Sequence, residues 1–540
     1  MKDISSTGSF INFYLNNYIY VDKTQYIRDL IKLERVFISR PRRFGKSLTL
    51  DTIATLFETG VEPYFKGTWI YDKWTEPTYP VLRLNFLNFD KNTLEKFNNK
   101  LNSKITEFAE LNQVTTYKEK EEAEDSIDHL LEQLRLEGRQ IVILIDEYDC
   151  QMTANINNET LYKQFQEKIK SFYANIKDKF AIKFLGITGV TRLKDVSIFS
   201  VGSDINDITN ASAYSQMIGF TRDEIKKYYI DYLKLASSYE NNCSVDDVTD
   251  TQLESMLDMM AQNYDGYCFD EDYEKKVFST WSVNKFFQTM IEKKKVQFGE
   301  YWYDNGGLPS ILVNYLKTHE LNIFEYLDKD KFLKVSSDDF KNPTALTTIN
   351  QNVLMCQTGY LTLRSDLNKT STVALGIPNG EIYKALNRLL ANNIFKGNTD
   401  ITDDYGRSLL EVGTVDDIIN LFNSALNSVS YDNYPIVSES SVQNMLKLYL
   451  LGAHQKVLSE VHEAKGRADL VVNTDNRRIV FEFKYAKNET EAKSKLLDAV
   501  EQIKTRDYGN IVPRKDELLR IAAVFNAAPK VRAFTEYQAV

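Results

Sequence analysis

Val36-Phe37-Ile38-Ser39-Arg40-Pro41-Arg42-Arg43-Phe44-Gly45-Lys46-Ser47 is a short apolar run entering an arginine-rich turn that ends in Gly-Lys-Ser. Behind it, Leu48, Leu50, Ile53, Leu56 and Phe57 recur mostly at helical spacing, so the triplet lies between a strand and a helix. That is the context a phosphate loop needs. Backbone N–H groups at the helix N-terminus cradle phosphate oxygens, Lys46 reaches the β/γ-phosphates of ATP, and the Ser47 hydroxyl ligates Mg²⁺. Arg43, Phe44 and Gly45 complete the expected nucleotide-binding turn. Arg40 occupies the place where the common pattern has its first glycine. An arginine there is expected to strain the turn, although Pro41 pre-sets one φ angle.

About a hundred residues on, Ile141-Val142-Ile143-Leu144-Ile145 is an apolar strand that ends in Asp146-Glu147. Asp146 is placed to hold Mg²⁺, and Glu147 to polarise the water that attacks the γ-phosphate. Further strands are expected at 80–86 and 182–187, with helices at 92–112 and 158–178 between them. Unbroken apolar strands alternating with helices predict an α/β domain built on a parallel sheet buried on both faces. The last strand runs into Thr188-Gly189-Val190-Thr191-Arg192. A polar residue here suits a phosphate sensor, and Arg192 suits either an arginine finger or a structural role.

A second constellation lies near the C-terminus. Gly466-Arg467-Ala468-Asp469-Leu470-Val471-Val472 is followed, after a turn, by Ile479-Val480-Phe481-Glu482-Phe483-Lys484-Tyr485. Period two sets Val480, Glu482 and Lys484 on one face of the second run, and a hairpin brings Asp469 beside them. Two carboxylates hold an oxygen-preferring divalent ion, Mg²⁺ or Mn²⁺, and the lysine orients water or stabilises developing phosphorane charge. Asp…Glu-x-Lys alone is common on half-exposed strands. The apolar flanks, and the helix carrying Gln502 and Tyr508 that follows, favour the catalytic reading. A further carboxylate is open between Glu439, Glu460 and Glu463.

The rest of the chain bounds these readings. Its 540 residues suggest about three domains. They divide as a P-loop domain at 1–221, a mostly helical region at 222–427 and a small α/β module at 428–540. Residues 397–406 read as a loop and 428–441 as a linker. Cys150, Cys243, Cys268 and Cys356 stand singly and His129, His319, His454 and His462 are dispersed, which excludes a zinc ribbon, a disulfide framework and a His-based metal centre. The N-terminus carries no secretory apolar segment and no run is long enough to span a membrane, so a cytoplasmic protein is expected. The net charge is −10, yet residues 441–540 hold 17 basic and 13 acidic side chains, +4 against −14 for the remainder. Residues 1–50 hold nine basic and four acidic side chains. A nucleic acid would prefer the two ends, although an ordinary solvated surface accounts for the charge equally well.

Together these motifs resemble the AAA-ATPase-like proteins that carry a C-terminal PD-(D/E)xK nuclease-superfamily domain. The resemblance spans nearly the whole chain. It includes Tyr20-Val21-Asp22-Lys23-Thr24, the Arg-Pro-Arg-Arg-Phe-Gly-Lys-Ser loop, Leu144–Asp149, Thr188–Arg192, Asn263–Tyr267, Gln357–Leu361, Leu375–Asn379, Gly466–Asp469, Phe481–Lys484 and Gln502-Ile503. In that family the loop without a first glycine is the usual form. The resemblance implies an ATP-binding domain, a helical middle and a metal-dependent nuclease fold. The expected function is ATP-regulated cleavage of nucleic acid, DNA foremost, by a chain able to form a homo-oligomer. The alternatives are a nucleotide-gated switch that grips DNA or protein without cutting, and an intracellular effector with another target.

Overall fold

The computed structural model describes residues 1–176, 180–193, 205–302, 310–316, 319, 323–343, 345–346, 348–395, 404–453, 455–463, 466–510 and 517–540. The chain forms two compact units, Met1–His319 with Phe332–Ile382, and Glu320–Lys331 with Tyr383–Val540.

In the first unit, β1 (Arg35–Ser39), β2 (Val81–Asn85), β3 (Ile141–Asp146), β4 (Ile182–Gly189) and β5 (Asn206–Asp207) form one sheet in the order β2-β3-β4-β1-β5. Every pairing is parallel. All six residues of β3 are buried, as continuous apolar composition demands of a central parallel strand. The helices Lys46–Thr59, Leu94–Leu111, Ala123–Leu136 and Glu159–Ile176 supply the crossovers. Because β4 is inserted between β1 and β3, the turns after all three strands meet at one sheet edge. Ligands of open α/β sheets bind at that carboxyl edge.

Gly189 shows how tightly this edge is packed. A Cβ built there would meet the Tyr148 ring at 2.4 Å and Asp149 Oδ1 at 2.8 Å. Gly189→Ala is therefore expected to destabilise the unit by about 1–3 kcal/mol, read as a lower thermal midpoint in calorimetry. An unchanged midpoint would show that Tyr148 yields freely.

Residues after 220 in this unit are mainly helical, with Ile225, Tyr229, Leu233, Met256, Met260 and Phe287 at the heart of their core. The helical expectation omits one element. β6 (Leu333–Ser336), β7 (Thr362–Leu363) and β8 (Thr372–Gly376) form a small antiparallel sheet in the order β6-β8-β7. Strands of two to five residues carry too little period-two pattern to be seen in sequence.

The second unit is built on β9 (Lys456–Glu463), β10 (Gly466–Asn473), β11 (Arg477–Ala486), β12 (Glu517–Asn526) and β13 (Ala533–Ala539), in the order β13-β12-β11-β10-β9. Only β11 and β12 run parallel, joined by the helix Glu489–Arg506. That helix covers one face, where Ala468, Val471, Val480, Ala499 and Ile503 pack together. Phe422, Phe481, Phe483 and Phe534 pack in succession on the other.

Two sequence expectations are corrected here. The presumed linker 428–441 already contains the start of the helix Glu439–Gly452, capped by the Ser438 side chain. Most of the presumed loop 397–406 lies outside the described residues, but its last part, from Asp404, begins the helix Asp404–Val412. Among the described residues no helix is long and apolar enough to cross a membrane. All four cysteines are free thiols.

Candidate active sites

Gly45 takes φ +106° and ends the turn, so that the first N–H groups of helix Lys46–Thr59 point out of the sheet edge. Arg43, at φ +68°, is the other left-handed residue of the loop. The strain expected at Arg40 is not there, since its φ is not positive. Its side chain instead lies buried over the Phe269 ring at 4.3 Å and donates to the Ser39 and Thr209 carbonyls. Desolvation pulls its pKa down to about 9. Arg40 thus serves as a wedge beneath the loop rather than as a phosphate contact.

The turn is held from the helical part of the same unit. Thr280 donates to the Arg43 carbonyl at 3.0 Å, and the Trp302 indole to the Arg42 carbonyl at 3.2 Å. The Arg43 guanidinium lies 4.0 Å above the Trp281 ring. Lys46 is buried, donating to the carbonyls of Arg40 and Pro41 at 3.1 and 3.3 Å and standing 3.7 Å from Glu147 Oε1. Ser47 Oγ donates to Asp146 Oδ2 at 2.6 Å, and Thr188 Oγ1 to Asp146 Oδ1 at 2.6 Å. The sheet order thereby joins the Ser47 loop, the Asp146 strand and the Thr188 strand on one carboxylate.

Glu147, left-handed at φ +53°, faces a cavity of 480 Å³ with Lys46 and Ser47. Burial raises the Glu147 pKa, Lys46 opposes the rise, and Asp149 and Asp146 add to it. Its lining also includes the apolar side chains of Phe13, Ile19, Val21, Ile218 and Trp281. Lys46 and Ser47 together with these apolar side chains suit a ligand that is part phosphate and part apolar ring. Arg42, Arg43, Phe44 and Gly45 line the cavity too. Arg192 does not. Its guanidinium pairs with Asp207 and its N–H donates to Gln357 Oε1 at 3.2 Å.

In the second unit, the β10–β11 register ends with Leu470 against Phe481, which brings Asp469 to the Glu482–Phe483 step of β11. The Phe483 N–H donates to Asp469 Oδ2 at 2.8 Å. Lys484 Nζ donates to Glu482 Oε1 at 2.7 Å and stands 3.5 Å from Glu439 Oε1. Glu439, at the start of its helix, is thus the carboxylate that joins the lysine. Glu460 pairs with Arg467 instead, and the Glu463 side chain lies outside the described residues. Gln502 donates to the Tyr508 hydroxyl at 3.3 Å.

Burial, then the Phe483 N–H and Lys484 acting against it, leaves the Asp469 pKa at about 6. Burial and the Asp469 charge, opposed by Lys484, push Glu482 to about 7. Among the described residues no three His, Cys, Asp or Glu side chains gather closely enough to hold a metal by themselves. The Asp469–Glu482 pair nevertheless fits a divalent, oxygen-preferring ion. Glu482 Oε2 is buried without a hydrogen-bond partner, and a buried carboxylate beside the half-buried Asp469 carboxylate calls for a shared cation.

Residues 5–199 match the family described as Predicted AAA-ATPase, and residues 437–534 match the PD-(D/E)XK nuclease superfamily. The chain joins an AAA-ATPase-like domain to a PD-(D/E)XK nuclease-superfamily domain. A curated relative, an uncharacterized protein in the vnfD 5′ region of Azotobacter chroococcum mcd 1, is 26% identical over 526 residues, covering 94% of this chain and 93% of its own. Among solved structures, Cdc6p of Pyrobaculum aerophilum is 11% identical with a TM-score of 0.23, covering 68% of this chain and 93% of its own. The ORC1 protein of Aeropyrum pernix, solved in complex with DNA, is 10% identical with a TM-score of 0.27, covering 69% and 95%. Scores this low carry no inference about function.

The nuclease-superfamily domain makes a pH prediction. Both carboxyls are raised, so protons compete with a cation below about pH 6 and leave both carboxylates free to bind it above about pH 7. Without metal, their contribution to stability is present below the ordinary carboxylate range and lost as pH rises through these values. Mn²⁺ is therefore expected to raise the melting temperature more at pH 8 than at pH 5.5. Calorimetry with Mn²⁺ and with EDTA checks this; an equal rise at both pH values would refute it.

The sequence missed the other walls of this cavity. They come from the N-terminal segment, from Met217–Phe220 and from Thr280–Asn284, and no local motif announces that these converge.

Proposed function

We propose that the chain binds and hydrolyses ATP in its first unit and uses that cycle to regulate divalent-metal-dependent cleavage of DNA phosphodiester bonds in its second. The observation that carries this reading is the convergence of the half-buried Asp469 and Lys484 on the buried Glu482. A binding surface has no use for two desolvated carboxyls beside a lysine, whereas hydrolysis of a phosphodiester does.

In the ATPase half, Lys46 binds the β/γ-phosphates, Ser47 and Asp146 hold Mg²⁺, and Thr188 keeps Asp146 oriented. Glu147 aligns water for attack on the terminal phosphorus and draws off its proton. Arg43, Phe44 and Gly45 shape the phosphate turn. A contact from Arg192 to the nucleotide requires its pair with Asp207 to open. In the nuclease half, Asp469 and Glu482 are the ligands for Mg²⁺ or Mn²⁺, which supplies charge neutralisation at the scissile phosphate. Lys484 stays protonated and offsets the charge that builds on the phosphate oxygens, while Glu439 fixes the ammonium. The division at 1–221, 222–427 and 428–540, a cytoplasmic setting and a homo-oligomer belong to the same proposal.

The test is incubation of the full chain with supercoiled plasmid and Mg²⁺ or Mn²⁺, with and without ATP. Nicked or linear product that depends on the divalent ion, at a rate that changes with ATP, is the expected result. Intact plasmid under every condition would overturn the nuclease half.

A further inference from the structure

A second cavity, of 430 Å³, lies beside the nucleotide chamber in the first unit. Phe13, Ile19 and Tyr20 line both and form a shared partition. Tyr14, Tyr18, Tyr64 and Tyr228 wall the second cavity. Tyr14 is 47% exposed, and its ring meets that of Tyr64 edge-on at 5.5 Å. An aromatic ring left in solvent along a cavity lining has ring surface to give to a ligand.

Three exposed lysines, Lys2, Lys66 and Lys227, belong to the same lining. Lys227 stands 4.8 Å from the Tyr228 ring centroid. Among the described residues none of the three makes an ion pair. Two acids also line the cavity, Asp22 and Asp231. Asp22 is already committed, accepting from the Thr24 N–H and hydroxyl at 2.9 and 2.7 Å and from the Trp69 N–H at 2.6 Å. Asp22 and Asp231 together offset two of the three ammonium charges, so the lining keeps a net charge of +1.

We propose that this cavity binds one nucleotide unit of a single-stranded nucleic acid, the base against the tyrosine rings and the flanking phosphates on the lysines. The volume falls in the range of small-ligand sites, about 300–1,000 Å³. Tyrosine walls offer stacking that every base can use, and ammonium groups on flexible stems track a backbone without reading sequence. A paired base cannot enter without leaving its stack, so single strands are preferred to duplex. Through Phe13, Ile19 and Tyr20 the occupied cavity alters the nucleotide chamber, and by reciprocity ATP alters affinity for the strand.

The inference does not depend on cleavage and is tested on the full chain carrying Lys484→Ala, in EDTA, by anisotropy of a fluorescein-labelled oligothymidylate. The single strand is expected to bind more tightly than the matched duplex. Adding Tyr14→Ala and Lys66→Ala, both at exposed positions, weakens single-strand binding about tenfold or more and leaves ATP affinity unchanged. The salt dependence becomes shallower by about 0.7 in log–log slope for the lysine removed. Photo-activated iodouracil in the strand attaches at Tyr14, Tyr18, Tyr64 or Tyr228. Single-strand affinity unaltered by the two substitutions, crosslinks confined to residues 437–534, or equal competition by free thymidine monophosphate each overturns the proposal. Whether wild-type protein cuts plasmid is decided separately, so loss of one reading leaves the other standing.

Discussion

Replacing Lys484 with alanine is expected to lower phosphodiester cleavage by about 10²–10⁴-fold while ATP hydrolysis continues unchanged. Burial pulls the Lys484 ammonium down, but its bond to Glu482 and the charges of Glu482, Glu439 and Asp469 outweigh this and leave its pKa raised. It is therefore a fixed positive charge at neutral pH, held by two carboxylates from different elements. Alanine removes the charge and also leaves Glu482 and Asp469 without their cation, which drives both carboxyls further up. Part of the loss should then return at higher pH, because the ligands recover their ionised form while the missing ammonium does not. A pH–rate profile on plasmid separates the two effects. Wild-type cleavage by this variant would remove Lys484 from the chemistry.

Glu147→Gln is expected to reduce ATP turnover by about 10²–10⁴-fold and to spare ATP binding. The amide preserves the size of the side chain but cannot draw a proton from water. Glu147 also takes part in nucleotide-free electrostatics, since Lys46 Nζ stands 3.7 Å from its carboxylate. Neutralising it frees Lys46 for phosphate, so ATP affinity should hold or rise. Lys46→Ala gives the complementary result, loss of binding and of hydrolysis together, because no other group that the turn directs inward is a lysine. Isothermal titration with a non-hydrolysable analogue, beside a phosphate-release assay, distinguishes the two variants. Full turnover by Glu147→Gln would place the general base elsewhere.

Much of both sites was legible because their chemistry is carried by contiguous residues. Gly45-Lys46-Ser47 between strand and helix, and Asp146-Glu147 at the end of an apolar run, are local patterns. So is the alternation that puts Glu482 and Lys484 on one face. β9 and β13 were not legible, because their residues are half-exposed and mixed in character. The strain expected at Arg40 was misjudged for a related reason. An arginine in place of the loop's first glycine looks strained until its backbone is seen to need no positive φ and its side chain to lie over Phe269, more than two hundred residues away.

The sequence by itself determined which side chains bear charge, nucleophile-activating and metal-binding capacity, and which strands are apolar enough to lie inside a parallel sheet. Only the tertiary structure decided which carboxylate joins Lys484, which strand stands between β1 and β3, and which segments wall the cavity beside Lys46. The reason is physical. Hydrophobic periodicity and short motifs act over neighbouring residues, whereas the order of strands and the choice of Glu439 over Glu460 depend on packing between segments far apart in the chain. That packing is sensed through buried volume and paired charge, and neither is written at a single position.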